Sequence, residues 1–336
     1  MINRNSATPV YVQLADLLRA EIKSGKIAPG DMLDSESVMI KKYGAARLTV
    51  REALGILVNE GLIAKRHGKG SFCTYGLKRK KIDVLLNITD YYFIPYYIES
   101  ISRILSEGNA DLAASDTRDS WREICGILRS IAENGSDGVI VQVSPETELG
   151  RDELKAAFAL LREKNIPYVM IDTVYDFIDG SSVTMDEFEA GRLAALCFDR
   201  FGHKSAAVYF REGDRVAKAR IEGFKSVMPS CIDILDSENV GDKLKSALQS
   251  GVTAVFCFSD YYAKKLIDAA KELKIPDDFS LISVDDTMIA EIYGLTSIVH
   301  PKGLIGEEAA KVLLGGIKIN RKFIPEIKER KSVKKI

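Results

Sequence analysis

Short cationic and hydroxyl side chains cluster at the start of one predicted helix near the N-terminus. Apolar residues at helical spacing from about residue 48 to Gly61 predict this helix, and Arg47, Thr49 and Arg51 lie off its apolar stripe. The leading end of a helix in the DNA major groove meets base edges, where Arg can bond guanine bidentately and Thr can bond a base. These three residues are therefore predicted to read base pairs.

A basic segment with a glycine turn follows this helix. Two short extended runs flank the tip Arg66, His67, Gly68 and Lys69, which predicts a β-hairpin. Cations are favoured in a narrow minor groove, and glycine lets the backbone approach closely. We predict that the tip binds the minor groove, although basic residues in a hairpin also serve simply to keep a strand edge soluble.

Two further helices must precede these elements to position them. The first is predicted over residues 10–25, and Ser35 and Glu36 open the second. Three helices followed by a hairpin predict an α+β winged helix-turn-helix over residues 1–76, with a basic linker at 77–81. Ser35 and Glu36 complete the predicted DNA-binding set.

The overall charge of -1 conceals an asymmetry along the chain. Residues 1–81 hold 15 Lys and Arg against 7 Asp and Glu, a net charge of +8, whereas the remaining 255 residues hold 32 against 41, a net charge of -9. A basic end on an acidic body indicates a polyanionic partner at that end. The alternative is an ordinary basic surface, on which Arg51 merely pairs with Glu36 or Glu52.

Strands and helices alternate from residue 82 onwards, and polar or aromatic side chains follow many of the strands. Continuous Val, Ile and Leu runs separated by helices predict parallel sheets, which bind ligands at the carboxyl ends of their strands. Carboxylates and amides there can bond paired hydroxyls while aromatic rings cover C–H faces, so a sugar fits. An Asp in such a position can instead cap the next helix. The residues found in these positions are Asp90, Tyr91, Tyr92, Gln142, Asp172, Asp186, Asp260, Asp285 and His300.

Residues 9–73 resemble the GntR-type winged helix over nearly the whole domain. The segments PVYVQL, SGKIAPGDML, TVREAL, EGLI and RHGKGSF occur in the order and spacing of that family. The resemblance implies that the arginines and threonine of the third helix read the major groove and that His67 and Gly68 lie at the minor groove. Ser37 stands where the family usually has arginine, which removes one DNA contact.

The rest of the chain resembles the LacI/GalR repressors, whose sensor shares the periplasmic sugar-binding fold. The segments IPYVMID, ARIEGF, AVFCFSD and LTSIVHP carry this resemblance. It implies a two-lobed α/β sensor over residues 82–336, and it adds Arg220 to the sugar contacts. The first lobe is expected at about 82–173 plus 301–325, and the second at about 174–300.

A GntR-type head on a LacI-type sensor is the arrangement of the arabinose repressor family. The resemblance implies a repressor of carbohydrate utilisation genes whose operator affinity falls when L-arabinose, or a related pentose or arabinoside, binds. Gln142 replaces a glutamate of that family, and Ser259 replaces an asparagine of the wider family, so the sugar itself stays open. A homodimer on a palindromic operator in double-stranded DNA is expected, because two heads multiply the affinity.

Other functional classes find little support in the sequence. The nucleotide-binding, esterase and zinc-protease motifs GxxxxGK[ST], GxSxG and HExxH are missing, so neither a catalytic residue nor a cofactor is predicted. Five scattered cysteines without a CxxC pair argue against disulfides and metal sites. With no long apolar run and no signal segment, we expect a cytoplasmic protein without a membrane partner, whose lysine-rich segment 328–335 is solvated. An enzyme, or a sugar-binding protein without DNA binding, is the alternative function.

Overall fold

The computed structural model describes most of the chain as a small head on a larger two-lobed body. The residues it describes, with the side chain of Arg66 excepted, are 2–4, 6–66, 69–88, 92–143 and 150–336.

Three helices and a hairpin form the head, in the predicted order. The helices are α1 (Val10–Lys23), α2 (Glu36–Tyr43) and α3 (Arg47–Asn59). Strand β1 (Ile63–Arg66) pairs antiparallel with β2 (Gly70–Cys73). Apolar side chains from every one of these elements are buried together, so the head has its own core: Leu14, Leu18, Ile22, Met39, Val50, Leu54, Leu57, Ile63 and Cys73.

The join between head and body is shorter than the predicted linker. Strand β3 (Lys80–Leu86) pairs with β4 (Ala110–Asp116), so the last two residues of the predicted linker belong to a sheet. The Arg79 guanidinium donates to Asp111 Oδ1 at 2.7 Å and to the Ala110 carbonyl at 2.9 Å. The join is therefore anchored to the body by specific contacts.

The first lobe is a six-stranded sheet with helices on both faces. Its other strands are β5 (Gly138–Gln142), β6 (Tyr168–Ile171), β7 (Ser181–Met185) and β13 (Asn320–Phe323). The strand order is β13-β7-β6-β5-β3-β4, and all neighbours are parallel. One face carries α4 (Ile94–Glu107) and α12 (Lys302–Gly315), and the other carries α5 (Trp121–Asn134) and α6 (Arg151–Glu163).

The second lobe repeats this architecture. Its strands are β8 (Ala206–Phe210), β9 (Ile232–Leu235), β10 (Ala254–Cys257), β11 (Ser280–Asp285), β12 (Thr296–Val299) and β14 (Glu326–Lys328). The order is β14-β12-β11-β10-β8-β9, and only the β12–β14 pair is antiparallel. Its helices are α7 (Glu187–Arg200), α8 (Arg215–Lys225), α9 (Val240–Gln249), α10 (Asp260–Ala269) and α11 (Met288–Tyr293).

The crossing from the first lobe to the second differs from the one expected at 173/174. Strand β7 pairs with β6 in the first sheet, so the chain first crosses to the second lobe after Met185. The chain returns to the first lobe after His300 and adds β13 to the first sheet. It then crosses once more, and β14 joins the second sheet. A loop can link two adjacent parallel strands without a helix, which the expected alternation of strands and helices did not allow for.

The lysine-rich C-terminal segment is bound to the second lobe, contrary to its predicted solvation. Ser332 and Val333 are buried, and the fully buried His203 ring lies within 3.0 Å of the Lys334 carbonyl. The small residues of the segment are buried while Lys331 and Lys335 stay exposed. Lysine content therefore gave a wrong expectation, because the contacts are made by the backbone and the small side chains between the lysines.

No helix within the described ranges combines the length and the apolar character that a bilayer span requires.

We expect Ser332→Ala to destabilise the second lobe. The Ser332 hydroxyl accepts from the Thr296 amide at 2.7 Å and donates to the Leu281 carbonyl at 2.5 Å, and alanine leaves both buried groups without this partner. The loss should be about 1–3 kcal/mol in the free energy of unfolding, measured by urea denaturation. Ser250→Ala, which removes an exposed hydroxyl, is the control. Equal stability of the two variants would contradict the buried placement of the segment.

Candidate DNA-binding surface and ligand cleft

The start of α3 exposes the predicted base-reading arginines. The side chains of Arg47 and Arg51 are 69% and 52% exposed, and both pair with Glu36 Oε2, at 3.3 Å and 3.0 Å. Although partial burial opposes ionisation, hydrogen bonds from Arg51 and then Arg47 lower the pKa of Glu36. The carboxylate therefore holds the two guanidinium groups side by side at the start of α3. The same contacts also fit the alternative role of Arg51, an ion pair with Glu36 on a solvated face.

The remaining predicted DNA contacts are less uniform. Thr49 is half-buried, and Lys69 is exposed beside β2. The Ser35 hydroxyl accepts from the Val38 amide at 3.4 Å and so caps α2. His67, Gly68 and the side chain of Arg66 lie outside the described residues, so their predicted minor-groove contacts stay predictions.

A cleft of about 640 Å³ lies between the two lobes, next to the chain crossings. It collects side chains that follow the strands of both sheets, as expected for parallel α/β lobes. Six predicted ligand residues line it: Tyr92, Gln142, Asp172, Arg220, Asp285 and His300.

Arg220 is fixed in the wall that the second lobe contributes. Its Nε donates to Glu187 Oε2 at 2.6 Å, and its Nη1 donates to the Phe258 carbonyl and lies 3.6 Å from Asp285 Oδ1. Although burial opposes the charge, Glu187 and then Asp285 raise the pKa of Arg220 further above its usual value. A permanently charged donor is thus held rigidly toward the cleft.

A close crossing of α7 and α8 sets this arrangement. A Cβ on Gly223 would lie 1.8 Å from the Phe188 carbonyl oxygen, and one on Gly191 would lie 1.7 Å from that of Arg220. Only glycine fits at either position, since both obstacles are backbone atoms. The crossing brings Glu187 on α7 within reach of Arg220 on α8.

Asp172 joins the two lobes at the base of the cleft. Its carboxylate accepts from the Tyr97 hydroxyl and from Gln142 Nε2 at 2.7 Å, and His300 Nε2 of the second lobe lies 3.4 Å away. Burial opposes its charge, but the hydrogen bond and charge of His300, with hydrogen bonds from Tyr97 and Gln142, lower the pKa of Asp172. The carboxylate therefore stays ionised as an acceptor for donors from either lobe.

Two cleft carboxylates sit on strained backbone. Asp172 has φ +63° and Asp285 has φ +112°, a region that side-chain-bearing residues rarely adopt. Such positions cost about 1–3 kcal/mol each and persist where the surroundings enforce them, often at ligand sites. The His300 ring is 96% buried at the same site, and its Nδ1 has no hydrogen-bond partner.

The structure places two predicted ligand residues outside the cleft. Asp186 caps α7 by accepting from the Glu189 amide at 3.1 Å, which is the alternative role of an Asp after a strand. Asp260 is fully buried and accepts from Ser283, Ser297 and Thr287, so its carboxylate holds three segments of the second lobe together. Asp90 and Tyr91 lie outside the described residues, so no contact is assigned to them.

Several cleft residues were missed from the sequence. Asn87, Thr117 and Arg211 each follow a strand directly, so the strand-end rule would have found them had it been applied to every strand. Glu187 and Asp214 lie at helix starts, and no sequence signal separates them from ordinary capping residues. Aromatic rings supply much of the apolar lining: Phe93, Phe258, Tyr261 and Tyr262.

The cleft lining favours an uncharged ligand. Asp119, Asp172, Glu187, Asp214 and Asp285 outnumber the two arginines, Arg211 and Arg220, so a phosphate or carboxylate would meet excess negative charge. Acceptor oxygens, fixed donors and rings suit the hydroxyls and C–H faces of a neutral sugar. Among the described residues, no group of three His, Cys, Asp or Glu side chains has the geometry of a metal site.

Comparison with known proteins found a family model that matches each of the two parts. Residues 10–73 match the bacterial regulatory proteins of the gntR family, and residues 197–333 match the periplasmic binding protein-like domain. The chain thus has the two domains of a DNA-binding transcriptional repressor. This confirms the predicted fold class of a helix-turn-helix head on a two-lobed α/β sensor.

The curated relatives include two proteins named arabinose metabolism transcriptional repressor. The one from Halalkalibacterium halodurans is 26% identical and aligns with 91% of this chain and 88% of its own length. The one from Geobacillus stearothermophilus is 28% identical, over 93% of this chain and 92% of its own length. A solved LacI family transcriptional regulator from Enterococcus faecium with bound ribose is 25% identical, with a TM-score of 0.62, and covers 76% of this chain and 100% of its own.

We expect Gly223→Ala to force α8 away from α7 and so disturb the Arg220 site. The added methyl group meets the Phe188 carbonyl, and overpacking of this kind costs about 1–3 kcal/mol of stability. Thermal unfolding followed by circular dichroism measures the loss. Gly126→Ala is the matched control, because it adds a methyl to an exposed helix position with open space around it. A Gly223→Ala protein as stable as this control would show that the crossing is looser than described.

Proposed function

We propose that this protein is a transcriptional repressor that leaves its operator when a small neutral sugar, L-arabinose or a related pentose or arabinoside, binds between the lobes. The proposal rests on one observation: the same chain has two exposed arginines, Arg47 and Arg51, at the start of α3 and a separate cleft lined by carboxylates and aromatic rings. The names of the two curated relatives favour arabinose among the sugars.

The DNA-binding half of the proposal rests on the head. Two guanidinium groups held by one carboxylate on α3 suit bidentate contacts with guanine, while the basic hairpin beside them suits phosphates and the minor groove. Because one winged helix makes few base contacts, we propose that a homodimer reads a palindromic operator in double-stranded DNA.

Exposed apolar side chains support a dimer through the second lobe. Tyr261 on α10 is 56% exposed, and Met288 and Ile292 on the neighbouring α11 are 61% and 71% exposed. Burying such residues against a second copy removes apolar surface from water, which is the main source of association free energy. Acting on DNA in this way, the protein would work in the cytoplasm.

Regulation follows from linkage between the two sites. A sugar that bonds donors and acceptors of both lobes favours their closure, and closure shifts the two heads out of register with the half-sites. The sugar releases operator only if it binds the operator-incompetent state better, and a coupling of about 1–3 kcal/mol would give about 5- to 150-fold weaker operator binding.

Alanine at Arg47 or Arg51 should weaken operator binding without unfolding the head. Each variant loses a contact worth about 1–3 kcal/mol and should relax sequence preference. Fluorescence anisotropy with a duplex selected by the protein from random-sequence DNA, repeated over a salt series, measures both effects, and light scattering of the complex checks for two chains per duplex. Arg129→Ala, an equal charge change on the exposed face of α5, is the control. Operator recognition unchanged in both arginine variants would overturn the assignment of the head.

Operator release by sugar is the second test. Calorimetry with L-arabinose, D-ribose, D-xylose, D-glucose and small arabinosides identifies the effector, and we expect it to weaken binding of the same duplex about 5- to 150-fold. D-ribose 5-phosphate should bind worse than D-ribose because of the acidic lining. The proposed regulation is wrong if a sugar saturates the cleft and operator affinity does not change.

A further inference from the structure

We propose that helix α4 transmits the state of the cleft to the DNA-binding head, and that the Tyr97 hydroxyl is the positioning contact at its cleft end. This inference rests on the proposed function and adds the path by which the two sites communicate.

The N-terminal end of α4 meets both lobes at the cleft. Phe93, just before the helix, lies edge-on to the His300 ring with centroids 5.1 Å apart. The Lys302 ammonium lies 4.8 Å from the Phe93 ring centroid and donates to the Asp285 carbonyl of the second lobe. Tyr97 is fully buried one turn further along, and its hydroxyl donates to Asp172. A change in lobe geometry therefore acts on this end of α4 through several contacts.

Asp172 is where a bound sugar would disturb Tyr97. Oδ1 already faces the Tyr97 hydroxyl and His300 Nε2, while Oδ2 accepts from Gln142. A sugar hydroxyl that donates to Oδ1 competes with the two groups already there, because each carboxylate oxygen offers only about two acceptor positions. Burial, and then the Asp172 charge, raise the pKa of Tyr97, so its hydroxyl stays protonated and always responds as a donor.

Close packing makes α4 a stiff element. A Cβ on Gly306 of α12 would lie 2.2 Å from Ser100 Oγ on α4, so the two helices cross in direct contact, and Arg103 pairs with Glu307 further along. Helices packed this tightly shift as units, since interiors have little room to deform. With 14 residues, α4 is about 21 Å long.

The head is in contact with this element. Helix α4 packs against β1, the strand that leads into the basic hairpin. Arg79 fixes the join nearby, because its guanidinium binds Asp111 and Ala110 of the first lobe. The same guanidinium lies beside Gly61 of the head, 3.7 Å from the point where a Cβ on that glycine would lie. A shift of α4 would therefore move β1, which is the first strand of the hairpin.

Tyr97→Phe tests the proposal, because Tyr97 does not line the cleft. We expect the variant to bind L-arabinose, or the effector found in the screen above, within about threefold of the unaltered protein, and to bind the selected duplex equally well without sugar. Sugar should then weaken its DNA binding by less than about twofold. Anisotropy and calorimetry supply these three numbers.

Tyr209→Phe is the matched control. It removes a hydroxyl from an equally buried tyrosine that donates to Asp236 at 2.5 Å in the second lobe, away from α4. It should keep full release by sugar at a similar stability cost. Full release in Tyr97→Phe, or loss of sugar binding in that variant, would overturn the proposal, the latter by making Tyr97 a ligand contact.

Two further measurements separate this inference from the proposed function. Arg79→Lys keeps the charge but cannot make both bonds of the guanidinium, so it should also reduce the release of operator by sugar. This variant tests the path if Tyr97→Phe fails to fold. Because coupling is reciprocal, binding of the selected duplex without sugar should change the hydrogen-exchange protection of residues 93–97 in the unaltered protein. The same measurement on Tyr97→Phe should show no change. No change at 93–97 on DNA binding would refute the path even if no sugar acts on the protein.

Discussion

A buried charge must be paired, and this requirement organises the junction between the lobes. Asp172 of the first lobe and Arg220 of the second are both almost enclosed, and each is surrounded by partners of complementary character. A buried ion without partners would cost several kcal/mol. The partners of Arg220 all belong to the second lobe, whereas Asp172 is contacted by His300 of the other lobe, so the lobes cannot separate far without exchanging that contact for another. A ligand with several hydroxyls can supply the replacement, so ligand binding and the geometry of the junction are linked.

Glycine provides the space that these pairs need. Gly191 and Gly223 let α7 and α8 touch through their backbones, and Gly306 does the same for α12 and α4. One crossing places Glu187 against Arg220 in the wall of the cleft, and the other joins the cleft to the helix that reaches the head. The positions of the polar groups in the cleft therefore depend on glycines, which have no side chain, at helix crossings outside the cleft.

Much of the fold could be read from local patterns. The three head helices, the hairpin and most central strands follow from helical spacing and buried Val, Ile and Leu runs, because those signals are local. Edge strands such as β9 (Ile232–Leu235) and β13 (Asn320–Phe323) were not predicted, since half-exposed or polar strands lack that signal. The boundary placed at residue 173 was wrong because strand pairing, which moves β7 into the first sheet, is not a local property.

The sequence by itself determined the chemistry at each end of the chain: cationic and hydroxyl side chains at a helix start, and carboxylates, amides and rings after parallel strands. Only the tertiary structure decided which of these residues share a site. Asp172, Asp186 and Asp260 all follow strands, yet one faces the cleft, one caps a helix and one holds buried hydroxyls together. Their roles differ because the partners of a carboxylate come from distant segments, and folding alone brings those segments within hydrogen-bonding distance.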